Sequence, residues 1–100
     1  MDEVARRALR DIRKCVAANR VTVLAHFVER MDLRGLFWTD VVDVIESPED
    51  VRDGGPEEFG RPKWIIAGTT TDGLKVEIVC VIDRDKSRNA AVFVTIYWQD

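Results

Sequence analysis

Apolar residues in the first half of the chain recur every three or four positions, which is the spacing of amphipathic helices. Residues 3–19 form the first such segment, and its apolar face contains Val4, Ala5, Ala8, Leu9, Ile12, Cys15 and Val16. A second segment extends from Ala25 to about Leu33, and Gly35 is placed to end it in a left-handed conformation. The pattern therefore predicts two helices in this part of the chain.

The residues that follow predict a third short helix and then a long loop. The helix is expected from Thr39 or Asp40 to Glu46, with Thr39 as its N-cap. Residues 47–61 combine glycine, proline and acidic residues, which disfavours regular structure there. Residues 21–24 are a β-prone stretch that forms either an edge strand or an extended lead into the second helix.

The second half of the chain shows the two-residue alternation of β-strands. Strands are predicted from Lys63 to Thr70, from Leu74 to Asp83 and from Ala91 to Trp98. The dipeptide Asp72-Gly73 is a hairpin turn signal between the first two strands. A charged connection over residues 84–89 leads to the third strand.

The final strand is expected to present two different faces. Strict alternation places Val92, Val94, Ile96 and Trp98 on one face, which should pack against the helices. The other face then carries Phe93, Thr95 and Tyr97, which bring two hydroxyl groups and two aromatic rings to the side away from the core.

The order of the elements predicts an α+β fold, with two to three N-terminal helices on one face of a three- to four-stranded antiparallel sheet. A chain of 100 residues is expected to form a single domain, with a helical part (1–46), an acidic loop (47–61) and a sheet (62–98). No apolar run reaches the roughly 20 residues that span a bilayer, and no signal-peptide stretch opens the sequence. We therefore expect a soluble, cytoplasmic protein without a membrane partner.

The formal charge of −3 is distributed unevenly along the chain. Residues 1–20 balance to +3, whereas residues 40–60 carry eight acidic side chains and one arginine and balance to −7. The basic residues of the first helix form a stripe, which we interpret as a solvated helix surface: Arg6, Arg10, Arg13 and Lys14. Overall charge argues against a general nucleic-acid coat, while a local basic face stays possible.

Cysteine and histidine are too scattered to predict a metal site or a disulfide framework. Cys15 falls on a predicted helix, Cys80 in the middle of a predicted strand, and His26 is the single histidine. Both cysteines are expected to be buried apolar residues, and no metal or cofactor is expected.

His26 is the natural candidate for a general acid or base, because its ordinary pKa lies near neutrality. Glu29 and Arg30 follow it by three and four residues, which places all three on neighbouring positions of one helix surface. A base, a phosphate-binding cation and an orienting carboxylate suit cleavage of a phosphodiester. The alternative is that His26 packs against the helix and the two charged residues are surface groups.

Thr95 and Tyr97 are the second candidate pair, because they could position a phosphate or stack on a base. The alternative is that both residues occur here because they suit a pleated surface. Lys63, Lys75, Arg61, Arg84 and Arg88 could line an RNA groove, although such residues are usually solubilising.

Taken in order, these segments resemble a family of small bacterial domains of unknown function. The pattern consists of His26, Arg30-Met31, Arg34-Gly35, Asp72-Gly73 and the closing Thr95-Ile96-Tyr97, and it covers roughly residues 10–98. That family is in turn similar to toxins of the RelE, ParE and BrnT kind. The resemblance implies a RelE-like arrangement of helices on an antiparallel sheet.

The resemblance also implies a chemistry, because several such toxins cut RNA without a metal. His26 would be the general acid or base, Arg30 would hold the phosphate, and the hydroxyls of Thr95 and Tyr97 would orient the scissile group. The protein would then act on RNA and bind an antitoxin that covers the active face.

Two functions stay open at this point. The first is a toxin-like, metal-independent endoribonuclease, and the second is a non-enzymatic protein-binding or regulatory domain on the same fold. The acidic 40–60 segment favours the second, since it could dock a basic partner. An edge strand at residues 63–70 or 91–98 could also pair between two copies and give a homodimer.

Overall fold

A computed structural model describes residues 1–85 and 88–99, with three helices packed on one face of a five-stranded mixed sheet. This confirms the α+β class. In chain order the elements are α1 (Glu3–Ala17), β1 (Val21–Val23), α2 (Ala25–Leu33), α3 (Trp38–Glu46), β2 (Asp50–Pro56), β3 (Pro62–Thr69), β4 (Lys75–Asp85) and β5 (Arg88–Trp98).

The sheet has the strand order β1-β5-β4-β3-β2. All neighbouring pairs are antiparallel except β1 and β5, which run parallel with Thr22 opposite Val92. The sheet is therefore larger than the three or four antiparallel strands predicted. One added strand is Val21–Val23, for which the sequence had left an edge strand as one alternative.

The other added strand lies inside residues 47–61, so the prediction of an irregular loop there is wrong in part. Residues 50–56 form β2, which pairs with β3 at the edge of the sheet. Val51 is the only residue of β2 that is buried in the core, and the pairing is irregular between Asp53 and Pro56. Acidic residues, a proline and a bulge are typical of edge strands, because these features prevent pairing with a strand of another molecule. The same residues resemble a loop in sequence.

Helix α2 spans the predicted residues, whereas α1 ends at Ala17, two residues before its predicted end, and α3 begins earlier than predicted. The Asp2 side chain caps α1 by accepting from the Ala5 backbone N–H at 2.7 Å, and Gly35 ends α2 at φ 65° as predicted. Helix α3 begins at Trp38, one residue before Thr39, which was expected to be its N-cap. Its first turn is closed by Asp40, whose carboxylate accepts from the Phe37 N–H at 2.8 Å.

The core lies between the helices and the inner face of the sheet. Phe93 occupies its centre, with its ring edge-on to Phe27 at 5.7 Å and to Trp38 at 5.0 Å between centroids. Cys15 and Cys80 are unpaired and buried, as expected. Burial raises the pKa of both thiols, so neither is a thiolate nucleophile near neutral pH.

The β3–β4 and β4–β5 hairpins differ in how well they follow the sequence. Gly73 takes φ 87° in the predicted Asp72-Gly73 turn, and Gly73 N–H donates to the Thr70 carbonyl at 2.9 Å. The charged connection predicted for residues 84–89 is instead mostly strand, because β4 continues to residue 85 and β5 begins at residue 88. Residues 86 and 87 of that connection lie outside the described residues.

A β-bulge in β5 changes which residues of the final strand face the helices, so the predicted faces are partly wrong. Cys80 lies opposite Phe93 whereas its neighbour Val79 lies opposite Thr95, so Val94 is an extra residue. The alternation therefore shifts by one position at Val94. Phe93 joins Ile96 in the core, and Thr95 and Tyr97 lie on the face away from the helices. The prediction that Phe93 shares their face is wrong.

Candidate functional site at the α2–β5 edge

The candidate site lies where β1 stops covering the edge of β5. Strand β1 pairs only with residues 91–93 of β5. Leu24, directly after β1, donates its N–H to the Phe93 carbonyl at 3.1 Å, and the chain then turns into α2. Helix α2 packs against β5, so its side chains stand beside the part of the strand that has no neighbouring strand.

Arg30 covers this open edge. Its Nε donates to the Ile96 carbonyl at 2.6 Å, which satisfies a backbone group that no strand on this side can reach. The guanidinium carbon lies 4.6 Å from the Trp98 ring centroid and 5.2 Å from the Tyr97 ring centroid. Cation–π attraction and the hydrogen bond together hold the guanidinium between α2 and the end of β5.

Arg34 extends the same cationic row one turn further along α2. Its guanidinium carbon lies 5.5 Å from the Trp98 ring centroid. His26, Arg30 and Arg34 follow one another at intervals of four residues and therefore lie along one side of the helix. Helix α2 and its C-cap thus carry a histidine and two arginines along one side, and both arginines reach the Trp98 ring at the end of β5.

His26 is exposed on α2, one turn before Arg30. Within the described part of the chain its imidazole makes no hydrogen bond or ion pair with another residue. Glu29 is also exposed and makes no contact that would orient the imidazole. The structure therefore keeps His26 accessible to a ligand and does not give it the carboxylate partner that the sequence suggested.

Tyr97 and Thr95 share the outer face of the sheet but differ in accessibility. Tyr97 is 50% exposed and lies opposite Glu77, close to the Arg30 guanidinium. Thr95 is only 6% exposed, and its Oγ1 has no hydrogen-bond partner among the described residues. Arg30 and Tyr97 are thus brought together, whereas Thr95 lies within the sheet surface beside them.

The outer face around Tyr97 carries mixed charge. Glu77 pairs with Arg52 at 2.9 Å, and Arg52 lies 3.7 Å from Asp50 on the edge strand. A cavity of about 250 Å³ next to Tyr97 is lined by Glu49, Ala67, Gly68, Lys75, Val76, Glu77, Trp98 and Gln99. The arginines near the site therefore belong to α2 and its C-cap. The cavity itself is lined by two acidic side chains, Glu49 and Glu77, and one basic side chain, Lys75.

Two residues of this site were missed by the sequence analysis. Trp98 was assigned to the helix-packing face alone, and Arg34 was noted only as part of a pattern. The available signal for Arg34 was its four-residue distance from Arg30. No sequence signal indicated that Trp98 would contact both arginines, because that contact depends on how α2 packs against β5.

The donor set suits proton transfer and phosphate binding. An imidazole can exchange a proton near neutral pH, and a guanidinium can hold a phosphate through its N–H groups. Across residues 1–85 and 88–99, no three His, Cys, Asp or Glu side chains gather in a way that could hold a metal ion. No helix in that part of the chain is both long and apolar enough to cross a membrane.

The fold and this edge site define a small α+β domain whose residues 23–98 match the family described as Domain of unknown function (DUF4258). The match covers about three quarters of the chain, and the chain belongs to this family. It includes α2 and β5, and therefore the whole candidate site, and it leaves α1 outside. Neither the curated proteins nor the solved structures contain a match to the chain.

Proposed function

We propose that the α2–β5 edge binds RNA and cleaves it without a metal, as a toxin-like endoribonuclease. The observation that supports this best is the placement of Arg30 against the half-exposed Tyr97, with the exposed His26 one helical turn away. Nε of Arg30 is engaged by the Ile96 carbonyl, which fixes the guanidinium. Its two terminal nitrogens make no hydrogen bond to the described residues and are the groups assigned to the phosphate.

In the proposed reaction, neutral His26 accepts the proton of a ribose 2′-hydroxyl. The 2′ oxygen forms a bond to the adjacent phosphorus while the bond from phosphorus to the 5′ oxygen breaks. The products are a 2′,3′-cyclic phosphate and a 5′-hydroxyl, and the leaving 5′ oxygen takes its proton from the Tyr97 hydroxyl. Arg30 stabilises the negative charge that grows on the phosphoryl oxygens.

Thr95 has an indirect place in this proposal. Because its side chain is almost completely buried, its hydroxyl can contact a substrate only if neighbouring side chains move. We assign it to the layer behind the site, where its buried Oγ1 has no hydrogen-bond partner among the described residues.

The test is cleavage of RNA by the purified protein in the presence of a chelator. His26→Ala and Arg30→Lys are expected to abolish or strongly reduce cleavage. Asp32→Asn is the matched control, because Asp32 is exposed on the same helix outside the site. A wild-type protein without activity, or a His26→Ala protein that cleaves at the wild-type rate, would contradict the assignment.

A protein-binding domain is the second candidate function, and one observation favours it. Leu33 and Phe37, at the connection from α2 to α3, are 73% and 72% exposed, which is unusual for two large apolar side chains so close in sequence. A partner such as an antitoxin would cover them together with the neighbouring arginine row.

Coexpression with the product of an adjoining reading frame tests this candidate. Leu33→Ser with Phe37→Ser is expected to abolish copurification of the partner. Val28→Ser is the control, because Val28 is a partly exposed apolar residue elsewhere on α2. A complex that survives the double substitution would contradict the assignment of this surface.

A further inference from the structure

A second charged surface lies far from the α2–β5 edge, on α1 and the end of the β4–β5 hairpin. Two adjacent cavities of about 770 Å³ and 620 Å³ share Lys14 as a lining residue and so form one continuous surface. We call this surface the basic face. Its basic members are Arg6, Arg10, Arg13, Lys14, Arg20, Arg84 and Arg88.

The charge of the basic face is opposite to that of the protein. Seven basic side chains meet three acidic ones there, namely Glu3, Asp11 and Glu46, so the face balances to +4. The whole chain carries −3, so all other residues together carry −7. Such a separation gives the molecule a positive side that attracts anions despite its negative net charge.

One asparagine of the hairpin end, Asn89, holds two arginines of the basic face, Arg20 and Arg84. The Asn89 backbone carbonyl accepts from Arg20 Nε at 3.0 Å and from the Cys15 thiol at 3.4 Å. The Asn89 side-chain oxygen accepts from Arg84 Nε at 3.2 Å. Both arginine bonds use only Nε, and among the described residues the terminal nitrogens of Arg84 donate to no acceptor. They are therefore positioned for an external anion.

Arg13 fixes the other half of the face against the rest of the fold. Its Nε donates to the Ile45 carbonyl at 3.0 Å and its terminal nitrogen to the Glu46 carbonyl at 2.9 Å, both at the end of α3. Arg6, Arg10 and Arg13 follow the spacing of one helix side and cover about 10 Å of α1. The cations thus form an extended row rather than a compact pocket for one small anion.

The lining of the basic face contains no aromatic side chain. Proteins that stack on bases use aromatic rings for that purpose, whereas contacts to phosphates need only cations and other donors. Strand β5 runs from Arg88 at this face to Tyr97 at the α2–β5 edge, a distance of about 30 Å at the usual rise per residue. The basic face is therefore a separate surface from the candidate active site.

We propose that the basic face binds the phosphodiester backbone of nucleic acid, independently of base sequence. An extended row of arginines, three of them held by hydrogen bonds, a charge opposite to that of the remaining molecule and the absence of rings in the lining all fit this ligand. The proposal does not depend on RNA cleavage at the α2–β5 edge.

The experiment measures binding of a labelled oligoribonucleotide by fluorescence anisotropy over a range of salt concentrations. The protein carries His26→Ala throughout, so that cleavage and binding are read separately. Binding is expected to weaken steeply with salt, as phosphate contacts release counterions. Arg84→Gln with Arg88→Gln should weaken binding several-fold and reduce the salt slope by about 0.7 for each lost contact to a single strand.

The matched control is Arg52→Gln with Lys63→Gln, which removes the same charge from residues that line neither the basic face nor the α2–β5 edge and should leave binding unchanged. Asp11→Asn should tighten binding, since it removes an acidic group from the face; a gain of affinity cannot come from unfolding. A scrambled oligonucleotide should bind as tightly as the first. Equal losses in the control pair, no binding at low salt, or equally tight binding of polyglutamate would overturn the proposal.

Discussion

Arg30 combines a structural and a chemical role in one side chain. The same guanidinium closes the edge of β5 through the Ile96 carbonyl and meets the rings of Tyr97 and Trp98. A lysine would keep the charge, but it has no planar fork that can bond a carbonyl and lie on two rings together. At this position the shape of the cation matters as much as its charge.

Arg30→Ala is expected to lower the free energy of unfolding by about 1–2 kcal/mol, because it removes a charged hydrogen bond to a backbone carbonyl and the ring contacts. Urea denaturation would measure this as a lower midpoint. Arg7→Ala is the control, since Arg7 makes only an exposed ion pair with Glu3 and should change stability by less than about 0.5 kcal/mol. Equal midpoints for both variants would show that Arg30 has no structural role.

Thr95→Val is expected to leave the protein at least as stable as the wild type. The substitution replaces a buried hydroxyl that has no partner among the described residues with a methyl group of similar volume. The gain should be up to about 1 kcal/mol, and thermal unfolding would detect it. A clear loss of stability would mean that the Thr95 hydroxyl is hydrogen-bonded in solution.

At the scale of secondary-structure elements, α3 and β3 approach each other most tightly at Gly68, which packs against Val44. A Cβ added at Gly68 would lie 2.8 Å from Val44 Cγ1, which is shorter than atoms in contact tolerate. Gly68 therefore allows the helix to approach the strand closely. Its φ is not in the left-handed region, so only volume limits this position.

Gly68→Ala is expected to lower the free energy of unfolding by about 1–3 kcal/mol through overpacking. Combining it with Val44→Ala should give a double variant whose loss is smaller than the sum of the two single losses, because the second substitution removes the clashing methyl. Chemical denaturation of the four proteins in this cycle gives the coupling directly. Strict additivity would rule out the steric explanation.

The turn between β2 and β3 is held by a single carboxylate. Glu57 accepts from the Arg61 side chain at 3.1 Å and from the backbone N–H groups of Phe59 and Arg61. The hydrogen bond from the Arg61 side chain is the largest cause that lowers the pKa of Glu57 from 4.5 to about 2. Arg61 also pairs with Asp83 at 3.2 Å, which links the turn to β4.

A lowered carboxyl pKa contributes stability above the unfolded pKa and loses it as the pH falls. For Glu57 the contribution should be complete above about pH 4.5 and disappear as the pH falls through about 2. Melting temperatures of the wild type and Glu57→Gln should therefore differ near neutral pH and converge toward pH 2. Glutamine keeps the acceptor oxygen for the two backbone N–H groups. A constant difference over this range would contradict the carboxylate as the cause.

On the scale of the whole molecule, the fold class and most elements could be predicted because they follow from local pattern. The boundaries of α2, the Gly35 stop and the Asp72-Gly73 turn rest on neighbouring residues alone. Strand β2 could not be predicted, since a single buried Val51 among acidic residues gives no alternation to detect. The bulge at Val94 was equally invisible, because it is set by pairing with β4 and not by residue type.

The candidate site was predicted in part for the same reason. The spacing of His26 and Arg30 on a helix follows from sequence, whereas the meeting of Arg30 with Tyr97 and Trp98 depends on the parallel β1 ending at Val23. The basic face was noted in sequence only as a stripe on α1. Its completion by Arg20, Arg84 and Arg88 requires the hairpin end to lie beside that helix.

The extra residue at Val94 also determines how relatives of this chain should be aligned. A homologue with one residue fewer between the counterparts of Phe93 and Thr95 would pair regularly and keep its Thr-x-Tyr on the outer face. A homologue that keeps this residue but pairs without the bulge would instead turn its Thr-x-Tyr toward the helices. Such a protein could share every side chain of the motif and still present none of them at the surface. The agreement between residue number and strand pairing at this one position, rather than motif identity, would then separate members with this site from members without it.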